Sequence, residues 1–262
     1  MTPDRGDRGV SDVLGYVLVF AVVVVAVTLL VTNGLGTVES VRTNARLDAA
    51  QGGLAVVDAN VEGLHRSGVP RRSTALQLNG GRLSLAGTTA IGVVATHDGE
   101  EVTNYTDVGV RLVHRVGDRS VSLDFGGQFR TGAGGATTVT DPPPFAFVRR
   151  DAGGPFDRVT LPVMLQRGND TVDSRSQVSV LASASGRRLV NHSAARAGEP
   201  PVRGEITVVT EPSRARAWAG YFDERGLSRN ATATDLDAGV VVYEFETRRL
   251  VVHEVRVEFG LR

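Results

Sequence analysis

The chain has 262 residues, with 29 basic side chains against 29 acidic ones, and every basic one is arginine. That balance supplies no strong field for nucleic acid, and the absence of cysteine excludes disulfides, thiolate zinc sites and cysteine nucleophiles. Aromatic residues make up 5%, too few for the stacking platforms that hold single strands or sugars.

The first nine residues are short, polar and charged, with Asp4, Arg5, Asp7 and Arg8 ending in Arg8-Gly9. Residues 13–32 then carry neither a formal charge nor a proline. As a helix that run spans about 30 Å, the thickness of a bilayer core. A cleaved secretory signal has a shorter apolar core and a small-residue cleavage site, which Thr32–Thr37 supplies poorly. A single-pass anchor and a helix retained after removal of a leader both fit. Ser11 is a good N-cap, and Asp12 places a negative charge at the positive end of the helix dipole.

The junction Arg8-Gly9, followed by Val10-Ser11-Asp12-Val13-Leu14-Gly15 and a valine-rich helix, resembles the leader of archaeal type IV pilin and archaellin precursors. It is most similar to uncharacterised haloarchaeal pilin-like proteins. The resemblance implies a class III signal peptide cut by a prepilin peptidase between Gly9 and Val10. It also implies other pilin subunits and the pilus assembly machinery as partners. In that frame Ser11 and Asp12 start the assembly helix, and Asp12 pairs with a neighbouring subunit's α-amino group. Asp12 stands where many pilins carry proline.

Beyond Gly36 the pattern turns amphipathic, with Leu35, Val38, Val41, Ala45, Ala49, Val56 or Val57, and Leu64 near helical spacing. It predicts a stalk helix over 33–66, with a hinge at Gly52-Gly53, where glycine weakens a helix. Short strand-like segments follow from Ser73, bounded by Gly, Asn, Asp or Pro. Asn79-Gly80-Gly81 and Thr247-Arg248-Arg249 read as tight turns joining the first and last pairs of strands. Pro162 marks an edge or broken strand, and residues 130–156 read as a flexible connection around one short strand. A second connection, around Glu199-Pro200-Pro201, leaves open one lobe or two. One short helix follows Pro212-Ser213, with Trp218, Tyr221 and Phe222 at helical spacing against the sheet.

The expected class is α+β. It comprises a leader at 1–9, a transmembrane or assembly helix at 10–32, the amphipathic stalk at 33–66, and a mostly antiparallel β-sandwich-like head at 73–262 with one short helix. Its five histidines form no His-x-x-x-His pair, and Glu62 with His65 gives only one Glu-x-x-His spacing. His97–Glu101 and Asp235–Asp237 lack the dense ligand spacing of a calcium loop. A P-loop requires lysine, and no Gly-x-Ser-x-Gly elbow occurs. No catalytic residue, metal ligand or cofactor is therefore expected. Asn104, Asn169, Asn191 and Asn230 open N-glycosylation sequons, which fit surface positions of an exported domain. The expectation is a non-enzymatic pilin-like subunit or minor pilin with an extracellular C-terminal domain, single-pass in the cell membrane or built into a surface filament. The alternative is a membrane-anchored binding or adhesion module that does not polymerise.

Overall fold

One helix, α1 (Gly6–Ser67), opens the chain, and strands dominate the remainder. The computed structural model describes residues 6–67, 69–151, 153–173 and 177–262, and within α1 the side chains of 13–29 and 40–64. The chain divides into two compact units, Met1–Ala45 and Arg46–Arg262.

The second unit begins with the rest of α1, followed by β1 (Arg71–Gln77), β2 (Arg82–His97), β3 (Glu100–Val116), β4 (Arg119–Asp124) and β5 (Gly127–Thr131). Then come β6 (Thr137–Asp141), β7 (Ala146–Val148), β8 (Arg158–Arg167), β9 (Thr171–Asp173), β10 (Gln177–Ala194) and β11 (Val202–Val209). Helix α2 (Pro212–Glu224) precedes β12 (Ser228–Arg229), β13 (Val240–Thr247) and β14 (Arg249–Leu261). These strands form two curled sheets. The smaller has the order β1-β10-β14-β8-β7, and the larger runs β12-β13-β11-β2-β3-β4-β5-β6, with β9 added beside β2. Register shifts interrupt β2 against β3 and β10 against β14, and such bulges bend a strand and raise its twist. At the first of these Gly87 has φ of 72°.

Two hydrophobic clusters fill this unit. In one, Trp218 and Phe222 of α2 join Val159, Leu161 and Val163 of β8 and Ile206 and Val208 of β11. In the other, Leu47, Leu54, Val57, Val61 and Leu64 of α1 meet Leu76, Leu83, Leu112 and Val257. Strand β14 serves both: Leu250 and Val252 join the first cluster, Val255, Val257 and Phe259 the second. Side chains alternate along a strand, so these two sets leave opposite faces of the smaller sheet.

The expected class is corrected: the chain is mostly β, with two curled sheets and no separate transmembrane and stalk helices. Among the described residues no helix is long and apolar enough to cross a membrane. The described apolar stretch, Val13–Leu29, is about 25 Å long at helical rise, short of a hydrocarbon core of about 30 Å. The expected transmembrane helix at 10–32 is thereby corrected. So is the single-pass cell-membrane localisation with its extracellular domain.

Local expectations also shift. Helix α1 runs unbroken through Gly52-Gly53, and a Cβ on Gly53 would sit 2.8 Å from Leu76 Cδ2, so this glycine permits close packing on β1. The buried face is Leu47-Ala50-Leu54-Val57-Val61-Leu64, whereas Val41 and Val56 are exposed. Gly81 N–H donates to Leu78 O at 2.9 Å in the expected turn, yet β1 and β2 enter different sheets, as do β13 and β14. The sheets are not wholly antiparallel, since β14 pairs with β8 in parallel. Pro162 lies on β8 past the three residues that pair with β7, where its missing N–H breaks no bond to that strand. The connection over 130–156 holds the one short strand expected, β7, and a second, β6, and Arg46–Arg262 is one compact unit.

Candidate functional site

In the first unit, α1 carries Val13, Leu14, Tyr16, Val17, Leu18, Val19, Phe20, Val22 and further valines to Leu29, exposed from 46% at Val24 to 78% at Tyr16. Consecutive residues on a helix point in successive directions about 100° apart, so this surface is apolar on every side. Thr28 turns its hydroxyl inward, donating to Val24 O at 2.7 Å, and leaves no free hydroxyl there. β-Branched valines are among the weaker helix formers, because their χ1 freedom is already lost against the preceding turn. That same stiffness means little side-chain entropy remains to be lost when such a surface is covered.

The residues expected at the leader junction, Gly9, Val10, Ser11 and Asp12, lie within the α1 backbone, and their side chains fall outside the described ones. Because α1 begins at Gly6, Ser11 is inside the helix and not its N-cap. The sequons separate by burial. Asn104 and Asn169 are exposed and Asn230 is half-buried, donating to Glu244 Oε1 at 2.8 Å. Asn191 is buried, with Nδ2 donating to Val102 O at 3.1 Å and to Thr103 Oγ1, so no glycan can be attached there in the folded chain.

The acidic turns are structural. Asp98 and Gly99 adopt positive φ at the β2–β3 hairpin, and Asp235 Oδ1 accepts from the N–H groups of Asp237 and Ala238 at 3.0 and 2.9 Å. His253 is half-buried. Among the described residues no group of three or more His, Asp or Glu side chains is placed to hold a metal ion. Trp218 is fully buried, 5.3 Å from Phe129 and 5.6 Å from Phe222 between ring centroids, so the aromatic set of α2 is core.

A polar network gathers at the start of α2. Arg111 grips Glu211 with two bonds of 3.0 and 2.5 Å. Arg214 donates to Ser122 Oγ at 2.9 Å, covers the Phe129 ring at 4.8 Å and approaches Asp124 Oδ2 at 3.9 Å. Asp124, 1% exposed, also accepts from Thr89 Oγ1 at 2.7 Å. Burial raises the Asp124 carboxyl and lowers the Arg214 guanidinium to about 10, each partly offset by the other's charge. The hydrogen bonds from Arg111 hold Glu211 below the usual carboxylate range. The two arginines and two acids balance in charge, while Arg111 Nε and Arg214 Nε and Nη1 are buried without a hydrogen-bond partner.

The Family of unknown function (DUF7289) matches residues 8–258. The chain belongs to that family. The DUF7289 match takes in the apolar stretch of α1 as well as both sheets. No curated protein matches the chain. Among solved structures, the ywiB protein from Bacillus subtilis aligns with 64% of this chain and 93% of its own, at 9% identity and a TM-score of 0.18. A likeness that weak carries no argument about the fold.

In this DUF7289 chain the polar network escaped sequence reasoning because its members are distant: Arg214 and Ser122 are 92 positions apart. A local signal did exist. Arg214, Trp218 and Tyr221 fall at i, i+4 and i+7, which puts the arginine on the buried face of α2.

Proposed function

We propose that the chain is a non-enzymatic, pilin-like structural subunit that assembles through the apolar stretch of α1 against the same stretch of other copies. The observation that carries this reading is the exposure of an uncharged, valine-rich helical surface on all sides between Val13 and Leu29. Burying a Val or Leu side chain stabilises by about 1.5–3 kcal/mol, so a few such side chains covered per copy hold subunits together. The leader-like junction at Gly9 and Val10 supports the pilin comparison by resemblance. A prepilin peptidase would free Val10 there, and Asp12 would then meet a neighbour's α-amino group.

The test compares the intact chain with Val19→Asp and Val23→Asp variants by analytical sedimentation and electron microscopy of the particles formed. Wild type should form large, ordered assemblies, and the substituted chains should sediment as single copies. A wild-type chain that stays monomeric at micromolar concentration would overturn the reading, as would variants that assemble equally well. Mass spectrometry of chain isolated from its own cells gives the N-terminus. Cleavage after Gly9 is expected, and an intact Met1 removes the leader from the proposal.

A further inference from the structure

The larger sheet ends at β6, and α2 packs both on that strand and on β13 and β11 near the other end of the sheet. The sheet thus curls until its two ends flank one helix, without closing into a barrel. A groove of about 490 Å³ remains between β6 and α2, with Thr137, Val139, Arg216, Gly220, Tyr221 and Arg225 among its lining. We propose that this groove takes an extended, acidic peptide segment of a protein partner, added to β6 as a further strand.

The backbone of β6 is open on that side. Gly132 N–H donates to Ala136 O at 2.9 Å where the β5–β6 hairpin begins. Bonding alternates along an antiparallel ladder, so Thr138 bonds back to Arg130, while the N–H and C=O groups of Thr137 and Val139 point away from β5. Among the described residues none of these groups has a backbone partner. The register shift in this ladder lies beyond them, at Gln128. Nor is the edge blunted: Thr137–Asp141 holds no proline and no basic residue, and its one charge stands at the end.

The side chains of the groove select the occupant. Tyr221 is buried, and a Cβ on Gly220 would meet nothing within 4 Å, so the helix leaves room beside the strand. Two cations and one acid, Glu224, line the space. Arg216 is bonded to Asp237, whereas Arg225 lies 5.2 Å from the Tyr221 ring centroid and forms no ion pair among the described residues. A carboxylate on the incoming segment meets that charge, and a basic segment is repelled by it. Added strands draw affinity from main-chain bonds and selectivity from contacts of this kind. The β6 strand of a second copy is a poorer occupant, because its one charge, Asp141, lines the cleft beside α1 and not this groove.

The experiment is fluorescence anisotropy of the full chain with a synthetic, fluorescein-labelled peptide of alternating valine and threonine carrying a glutamate at each end. Saturable binding is expected. The same peptide with its amides N-methylated has no donors for the ladder and should bind about tenfold more weakly or not at all, as should one with lysine in place of glutamate. Gly220→Leu fills the groove from an open helical position, so it should melt no lower than wild type and lose binding about tenfold. Thr137→Pro removes an N–H that β5 does not use and should lose binding equally. Absence of saturable binding, equal binding of the N-methylated peptide, or either variant folding and binding as wild type does overturns the site. Wild-type assemblies that Gly220→Leu dissolves, seen by sedimentation, would put a second copy in the groove and overturn the assignment to a partner.

Discussion

Replacing Arg214 by methionine tests how the buried charges are held. The methionine keeps the unbranched stem, so packing against Phe129 is largely retained. What disappears is the hydrogen bond to Ser122 at 2.9 Å, the cationic contact over Phe129 at 4.8 Å and the only close counter-charge to Asp124 within α2. Each of the first two is worth about 1 kcal/mol. The third dominates: Asp124 is 1% exposed, and an ion left unpaired in such a place brings the loss to about 3–5 kcal/mol. Relief of repulsion from Arg111 works the other way, but Arg111 is already paired with Glu211. Asp124→Asn with Arg214→Met buries no charge and keeps an acceptor for Thr89, so the pair should lose only about 1–2 kcal/mol. Urea unfolding monitored by Trp218 fluorescence, read as a double-mutant cycle, gives the coupling. The single variant should also lose more at pH 8 than at pH 5. Without Arg214 the folded Asp124 carboxyl rises further above its unfolded value, so its stability contribution falls as pH climbs toward that raised value. A loss below about 1 kcal/mol for Arg214→Met, or strict additivity in the cycle, would refute this account.

Asp58 should make stability depend on pH. Its carboxyl is raised from 3.8 to about 7, so its contribution is full below the lower value and is lost as pH rises through the upper one. The loss amounts to about 2–4 kcal/mol, and Asp58→Asn should flatten that part of the urea-midpoint profile; an unchanged slope would contradict the assignment. The glycine pair should split. Gly52→Ala meets open space on a helix and should gain about 0.5–1 kcal/mol, whereas Gly53→Ala crowds Leu76 and should gain nothing or lose, as measured by thermal melts. Leu54→Ala empties a fully buried position between α1 and the sheets and should cost about 2.7–5 kcal/mol in urea unfolding. A cost under about 1 kcal/mol would mean that this half of α1 is not packed as described.

The sequence by itself determined what depends on neighbours along the chain. Asn79-Gly80-Gly81 takes positive φ at Asn79 and Gly80 because those residue types tolerate it, and the turn forms where expected. The aromatic spacing of α2 ends in the core, as its i, i+3, i+4 pattern implies. The contact face of α1 was also present, as the alternating 3–4 steps from Leu47 to Leu64, although weaker apolar positions on other faces obscured it.

Only the tertiary structure decided which strands pair. Two tight turns form without making hairpins, because β1 finds β10 and β14 finds β10 and β8, partners far away in sequence. The first half of β3, Glu100–Asp107, is polar and reads as a loop, yet it is strand because Val93 and its neighbours on β2 supply the ladder. Asp48 and Gln51 of α1 share a cleft with Gln128 and Asp141 for the same reason. Local propensity fixes how a segment bends, but burial and ladder bonds with remote segments fix what it lies beside.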